Sequence, residues 1–211
     1  MIKAIIFDFG SVIYRTNWEG INRDFIEKFG FEIWLKNKND KELVRIYEDS
    51  NIGKKDLGDF FLKLKPELKG DLDRIIHFYK NSYAKHRIVN EKIMKIIRQL
   101  KEGHTLIGFT DVKKEHYEVN QSQGIYKDFK KIFTSFEFGM LKAQREAFER
   151  LELELKILNI KPYECIFIDD QEKNVQNAKE LGFKTIHYPD FPETKRLLKK
   201  LNGMLKASGG N

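Results

Sequence analysis

Hydrophobic and polar positions are arranged in two alternating ways along the second half of the chain. Short, almost continuously apolar runs take turns with longer stretches whose apolar residues recur every three or four positions. The first pattern is typical of strands buried on both faces, and the second of helices that pack one side against a sheet. Strand patterns lie at 104–110, 131–135, 164–170 and 183–188, and helical patterns at 91–101, 113–121, 143–158 and 172–182. Together with the apolar run at 3–9, they predict an α/β fold, a Rossmann-like parallel sheet flanked by helices.

The stretch from residue 15 to residue 87 has a different pattern of apolar residues. Four segments have apolar residues at helical spacing, and no convincing strand separates them, although FEIWL at 31–35 is ambiguous. These segments are 21–29, 41–49, 59–65 and 72–83. We therefore expect an inserted α-helical cap over 15–87 and an α/β core domain formed by 1–14 and 88–211.

Composition limits the class of protein. The 211 residues are 41% hydrophobic and 34% charged, which is enough apolar material for a core and fits one domain with an insertion. No apolar run approaches the roughly 18 residues that a membrane helix needs, and Asp8 interrupts the apolar start too early for a signal peptide. The single cysteine, Cys165, cannot form an internal disulfide, which favours a reducing, cytoplasmic location.

The net charge of +7 suggests an anionic partner, but most lysines are interspersed with acidic residues, as on an ordinary solvated surface. The one dense basic run, at 195–206, carries leucines at helical spacing. They are Leu197, Leu198, Leu201 and Leu205. A C-terminal helix packed on the core explains this pattern, and we do not expect nucleic-acid binding because no groove-reading motif accompanies the charge.

Polar residues follow four of the predicted strands, where ligands bind in open α/β sheets. They are Asp8, the pair Thr110 and Asp111, Lys142, and the pair Asp169 and Asp170. The three strand-end acids Asp8, Asp169 and Asp170 are expected to converge, and like charges about 4 Å apart repel by about 4 kcal/mol at an effective dielectric near 20. Such a cluster needs a cation, and Mg²⁺ prefers oxygen ligands. Lys142 would add positive charge at the same point.

Four motifs in this order resemble those of the haloacid dehalogenase-like hydrolases. They are IIFDFGSVI, FTD, the lysine of FGMLK, and FIDDQEKNVQNAKELG. Each motif alone is common, but the ordered set is specific, and the likeness covers the first strand and nearly everything from 90 to about 188. The helical stretch matches the place and size of the family's helical cap. Bacterial receiver domains also use Asp, Thr or Ser, and Lys, but their paired acids come near the first strand, whereas here the pair comes last.

The resemblance implies a phosphatase acting on a small phosphorylated substrate through a covalent aspartyl phosphate. Asp8 would be the nucleophile and a Mg²⁺ ligand, with Asp169, Asp170 and the backbone carbonyl of Gly10 as further metal ligands. Thr110 and Lys142 would complete the catalytic set and contact the phosphate. Substrate binding would involve Thr110, Asp111, Lys142, Tyr14 and Trp18. The simpler alternatives are helix capping for Thr110 and the acids, and packing for the two aromatic residues.

The first motif departs from the family pattern at Gly10, where phosphatases usually have a second Asp that serves as general acid and base. Its loss matters, because general acid–base catalysis contributes about 10²–10⁴-fold. Three resolutions are open: an activated leaving group, a proton donor on the cap, or lost activity. Sugar 1-phosphates would suit the first, as a subgroup with a DxGNV-type motif acts on them. His77 and His86 are candidates for the second.

Two smaller departures bear on the same site. Asp111 stands where the family commonly has Asn or Gly, and LKAQ replaces a frequent Lys-Pro-Asp, so that the loop carrying Lys142 is expected to be looser. The prediction is a Mg²⁺-dependent phosphatase. The alternative is a catalytically weak relative that binds a phosphorylated ligand or a protein partner. Haloacid dehalogenases also lack the second Asp, but they work without metal and rank lower.

Overall fold

The computed structural model describes residues 1–33, 40–68, 70–189, 191 and 193–209 and contains a five-stranded sheet in which all neighbouring strands run parallel. The strands are β1 (Ala4–Phe7), β4 (Thr105–Thr110), β5 (Lys131–Thr134), β6 (Cys165–Asp169) and β7 (Lys184–His187). Their order is β5-β4-β1-β6-β7. The chain continues from β1 to β4 and β5 on one side, then crosses to β6 and β7 on the other. The predicted α/β fold is confirmed, and its topological switch point lies at the carboxyl end of β1.

The central strand β1 is buried on both faces, as its apolar run predicted. Ile5 and Phe7 belong to the hydrophobic cluster on one side of the sheet, and Ala4 and Ile6 to the cluster on the other. Successive side chains of a strand point to opposite faces, so an uninterrupted apolar run requires a covered sheet on both sides. This places the residue after β1 at the middle of the sheet edge.

Helices cover the two faces of the sheet. They are α5 (Glu91–Leu100), α6 (Lys114–Ser122), α7 (Ser135–Phe138), α8 (Arg145–Ile157), α9 (Glu172–Glu180) and α10 (Thr194–Gly209), with a 3₁₀ turn at Pro162–Glu164. Apolar residues of α5 and α10 join the cluster of Ile5 and Phe7, whereas those of α8 and α9 join the cluster of Ala4 and Ile6. The basic C-terminal run is therefore a helix packed on the core, with Leu197 and Leu201 buried. No helix among the described residues has the length and apolarity to cross a membrane.

Four helices precede α5, and we call them the helical segment: α1 (Trp18–Phe29), α2 (Lys41–Asn51), α3 (Leu57–Leu68) and α4 (Leu72–Lys85). They form a separate hydrophobic cluster around Phe25, Phe61 and Tyr79, and Val119 of α6 joins it. Residues Phe31–Ile33 form no strand, and the rest of the ambiguous FEIWL run lies outside the described residues. The boundaries proposed for the inserted domain remain a prediction.

A two-stranded antiparallel ribbon joins the helical segment to the sheet, and the sequence patterns did not predict it. It consists of β2 (Tyr14–Thr16) and β3 (Arg87–Val89), with Tyr14 opposite Val89 and Thr16 opposite Arg87. The chain thus enters and leaves the helical segment at adjacent positions.

Gly108 in β4 provides a test of sheet packing. A Cβ at this position would lie 2.5 Å from Phe9 Cε2 and 2.6 Å from Ile132 Cδ1. We expect Gly108→Ala to lower the free energy of unfolding by about 1–3 kcal/mol, because the added methyl group has no room unless Phe9 and Ile132 move. Urea denaturation measures the effect. Gly103→Ala is the control, since no atom lies within 4 Å of its added Cβ. Equal stability of the two variants would contradict this packing.

Candidate active site

Three carboxylates meet at the centre of the carboxyl edge of the sheet. Asp8 directly follows β1, Asp169 is the last residue of β6, and Asp170 comes next. Each offers a carboxylate oxygen, and these oxygens all lie within 4.8 Å of one another. The structure brings the three acids together, as their positions at the strand ends predicted.

The amino group of Lys142 lies between two of these acids. Its Nζ donates to Asp8 Oδ1 at 2.5 Å and to Asp169 Oδ2 at 2.6 Å, and its side chain is 3% exposed. Burial lowers the pKa of a lysine, but here the charges of Asp169 and Asp8 outweigh burial and raise the pKa of Lys142 above its ordinary value. Lys142 is therefore a protonated group at neutral pH.

Asp8 is an unusually basic carboxylate. Burial raises its pKa to about 8, and the charge of Asp169 adds to the rise, whereas Lys142 opposes it. In the described structure three acids meet at this point, and the buried Lys142 pairs with two of them, Asp8 and Asp169. The cluster therefore favours an additional cation that would keep Asp8 ionised.

The two acids at the end of β6 have different surroundings. Asp169 Oδ1 accepts bonds from the Gln171 N–H at 2.8 Å and from Asn174 Nδ2 at 3.1 Å, and its Oδ2 accepts from Lys142 and, at 3.2 Å, from Asn174. Both oxygens of this buried carboxylate are thus occupied by protein donors. Asp170 is half-buried, and its Oδ2 accepts from Gln171 Nε2 at 2.8 Å. Asp170 is therefore the more accessible of the pair.

The loop that carries Lys142 is fixed without the family's proline, contrary to the looser loop expected. The Lys142 N–H donates to Asp111 Oδ1 at 3.0 Å, and Asn177 Nδ2 donates to the carbonyl oxygens of Lys142 and Ala143 at 3.1 and 3.0 Å. The Asp111 carboxylate, one of the predicted substrate-binding residues, thus holds the lysine backbone. Sequence analysis missed Asn174 and Asn177, whose spacing of three on α9 places both on one helix face.

The donor set suits a small divalent cation such as Mg²⁺. All candidate ligands are oxygen atoms, which Mg²⁺ prefers. A Cβ at Gly10 would meet Asp8 Oδ2 at 3.8 Å, so the backbone of residue 10 also passes close to the cluster. Thr110 ends the neighbouring strand β4 and is 1% exposed, which places its side chain on the same edge of the sheet.

A cavity of about 380 Å³ lies beside this cluster, between the sheet edge and the helical segment. Its lining includes Gly10 and Asp111 from the sheet side, and Tyr14 and Trp18, the two aromatic residues predicted to contact substrate. Tyr14 is buried and its hydroxyl accepts a bond from Asn120 at 2.9 Å, whereas Trp18 is 40% exposed. Both aromatic residues therefore border the space in which a substrate would lie.

The two histidines considered as proton donors do not line this cavity. His77 is exposed on α4, and His86 contacts Asp24 at 3.1 Å. The lining contains His116 and Lys113 instead, which sequence analysis did not single out. His116 is buried, stacks on Tyr83 with ring centroids 4.0 Å apart, and has a pKa well below its ordinary value because of burial. His116 is thus a neutral ring at neutral pH.

A family model and a curated protein both match this sequence over most of its length. A family model for haloacid dehalogenase-like hydrolases matches residues 2–182. The curated D-ribitol-5-phosphate phosphatase of Bacteroides thetaiotaomicron is 27% identical over 198 residues, which cover 88% of this chain and 91% of that protein.

Solved structures show the same fold. An enzyme of the haloacid dehalogenase (HAD) family from Bacteroides thetaiotaomicron, in a magnesium complex, matches with a TM-score of 0.70 and 19% identity. The match covers 89% of this chain and 93% of the other. A HAD-like family hydrolase from Porphyromonas gingivalis matches with a TM-score of 0.69 and 21% identity, over 94% and 98%.

Proposed function

Because the chain belongs to the haloacid dehalogenase-like hydrolase family, we propose that it is a Mg²⁺-dependent phosphatase of a small phosphorylated metabolite. The observation that carries this proposal is the meeting of Asp8, Asp169 and Asp170 at the switch point of the sheet, where the amino group of Lys142 binds Asp8 and Asp169. The named activity of the 27% identical relative supports the same reaction class.

In the proposed reaction, a carboxylate oxygen of Asp8 attacks the phosphorus atom. The bond from phosphorus to the leaving-group oxygen breaks, and that oxygen takes up a proton. Water then hydrolyses the aspartyl phosphate, which releases inorganic phosphate and restores the Asp8 carboxylate. Lys142, which already bonds to Asp8, would stabilise the charge that develops on the phosphoryl oxygens, and the Thr110 hydroxyl would hold one of them.

We assign the metal site to Asp8, the backbone carbonyl of Gly10 and Asp170. Asp169 would act through water or through Lys142, because both of its oxygens already accept bonds from protein donors. A bound Mg²⁺ would neutralise phosphate charge and keep Asp8 ionised. The helical segment, proposed as the cap domain over 15–87, would cover the cavity and exclude water from it.

The leaving group is the open part of the proposal, because Gly10 supplies no acid. A sugar 1-phosphate, with its activated leaving group, would need little help. The named substrate of the Bacteroides relative carries its phosphate on a primary alcohol. Such an alcohol is a poor leaving group unless an acid protonates it. We therefore propose phosphates of sugars or polyols as the substrate class, and both kinds belong in a test.

Gly10→Asp is expected to restore the missing acid. The position has room for a side chain, since an added Cβ meets Asp8 Oδ2 at 3.8 Å, and its φ lies outside the left-handed region. We expect kcat on an alkyl phosphate to rise by about tenfold or more, as a positioned general acid contributes about 10²–10⁴-fold. Steady-state kinetics compare Gly10→Asp with Gly10→Asn. Asn has the same shape as Asp but cannot act as a general acid, so the difference in kcat measures the contribution of the donated proton. Equal rates for the two variants would show that another group already protonates the leaving group.

The deciding experiment is a screen of phosphorylated metabolites and p-nitrophenyl phosphate with Mg²⁺, with Asp8→Asn as the blank. Phosphate release that requires both Mg²⁺ and Asp8 would support the proposal. Thermal stabilisation by a phosphorylated ligand without turnover would instead favour the catalytically weak binding protein, which Gly10 makes the second candidate. Release of halide from haloacids without metal would favour a dehalogenase.

A further inference from the structure

Lys113 is a buried amino group on the wall of the cavity beside the active site. It precedes α6, three residues after Thr110, and is 2% exposed. Its Nζ donates to Asn51 Oδ1 at 2.5 Å and lies 3.6 Å from the centre of the Tyr47 ring. Asn51 and Tyr47 both belong to α2. Lys113 therefore connects the sheet domain to the helical segment across the cavity that all three residues line.

The contacts of Lys113 are uncharged, unlike those of Lys142. One contact is an amide and the other an aromatic ring, and burial lowers the pKa of Lys113 to about 7, although Glu115 opposes this shift. An amine in such a place exchanges one neutral hydrogen-bond partner for another at little electrostatic cost. Hydroxyl groups of a substrate are partners of this kind.

Glu115 disfavours a second anion next to Lys113. This carboxylate is 8% exposed, and its Oε1 accepts a bond from the Leu57 N–H at 3.1 Å. Its buried Oε2 has no hydrogen-bond partner in the described part of the chain. A phosphate or carboxylate bound to Lys113 would therefore be repelled by this carboxylate, whose charge also acts on Lys113.

Aromatic side chains contribute to the rest of the cavity lining, next to small and polar residues. Tyr14, Trp18, Tyr83 and His116 border the space together with Tyr47. The charged groups that remain are Asp111, which holds the Lys142 backbone, and Arg15, which is exposed and stacks on Phe191 at 4.9 Å. Aromatic faces pack well against C–H groups, and a few placed polar groups fix the orientation of a ligand.

We propose that Lys113, with Asn51 and Tyr47, forms the site that selects the leaving group, and that it takes an uncharged polyhydroxylated one, a polyol or a sugar. This inference rests on the proposed phosphatase function. Lys113 would donate to a hydroxyl at the end of the substrate remote from the phosphate, in place of its bond to Asn51. Lys113 is thus a specificity-determining residue for the reaction at Asp8.

Lys113→Met tests this role, and Lys114→Met is the matched control because Lys114, the next residue, is exposed at the start of α6. The substrates are ribitol 5-phosphate, a five-carbon sugar bisphosphate, and p-nitrophenyl phosphate, whose leaving group has no alcohol hydroxyls. We expect Lys113→Met to reduce kcat/KM for ribitol 5-phosphate by about 10- to 100-fold, the value of one buried hydrogen bond to an amino group, mainly through KM. The rate on p-nitrophenyl phosphate should change less than about threefold, which also shows that the variant folds.

Two results would overturn the inference while leaving the phosphatase function intact. One is a preference of the unmodified protein for the bisphosphate over ribitol 5-phosphate. The other is an equal loss on ribitol 5-phosphate and p-nitrophenyl phosphate in Lys113→Met. Absence of Mg²⁺-dependent turnover on every substrate would instead refute the proposed function, and this inference with it.

Discussion

Asp8→Asn should abolish phosphate release, with kcat lowered by at least about 10⁴-fold, because the amide cannot form the aspartyl phosphate. The protein should remain folded, since Asn has the same shape and Lys142 keeps its bond to Asp169 at 2.6 Å. Burial already raises the pKa of Asp8, so a neutral side chain suits the position. The measurement is single-turnover phosphate release together with thermal unfolding.

Asp73→Asn is the control for this substitution, because Asp73 is exposed in the first turn of α4. This variant should retain full activity. Substantial turnover by Asp8→Asn, at a tenth of the normal rate for example, would exclude Asp8 as the nucleophile. The metal site could then still bind substrate, but the covalent mechanism would be wrong.

Lys142→Met should lower both activity and stability. Removing the ammonium leaves Asp8 and Asp169 buried without their common partner, and breaking a buried ion pair from one side costs about 3–5 kcal/mol. The loss of charge stabilisation at the phosphate should lower kcat by about 10³-fold. Lys173→Met, an exposed substitution at the start of α9, should change neither quantity.

The pH dependence of this stability loss distinguishes electrostatics from packing. Burial raises the pKa of Asp8, and Lys142→Met would remove the charge that opposes this rise, so above pH about 4 the folded variant binds more protons than the unfolded state. Stability of the variant should therefore decline as pH rises above about 4. Urea unfolding at pH about 5.5 and about 8 should show a larger deficit at the higher pH. A deficit independent of pH would indicate that Lys142 matters for shape rather than charge.

The sheet and its acids could be predicted from the sequence because their signals are local. The run before Asp8 is apolar at every position, which requires a strand covered on both faces, and Asp169 ends a run of the same kind. Parallel strands bring their carboxyl ends to one edge, so the fold class alone predicts that these acids meet. Lys142 was predicted by the same reasoning, but it lies in the loop after α7 rather than at the end of β5. Asp111 and Asn177 fix this loop by hydrogen bonds that no local pattern shows.

The ribbon of β2 and β3 could not be predicted in this way. Each strand has three residues, which is too short for an alternation of apolar and polar positions to stand out. The two strands pair across the whole helical segment, so no hairpin turn indicates the pairing. Long-range pairing of short strands depends on the packing around them, which the sequence pattern does not contain.

Lys113 was missed for a related reason. It stands beside Lys114 in a chain with 39 lysines and arginines, and only the first of the two is buried. Its environment is set by Asn51 and Tyr47, which belong to a distant helix. Charge counts and periodicity treat the two lysines alike, whereas the fold gives them opposite surroundings.

The pairing of Thr16 with Arg87 has a consequence for how such a protein can change during evolution. Antiparallel partners of this kind can be joined by a turn of about two residues. Everything between them, including all four helices of the helical segment, could therefore be lengthened, exchanged or deleted without rerouting the chain through the sheet. The residues proposed to act on the phosphate lie at the edge of the sheet, whereas Asn51 and Tyr47, two of the three residues proposed to select the leaving group, lie on the exchangeable part. A lineage could thus acquire a new substrate by recombination at this one junction while it inherits the catalytic residues unchanged.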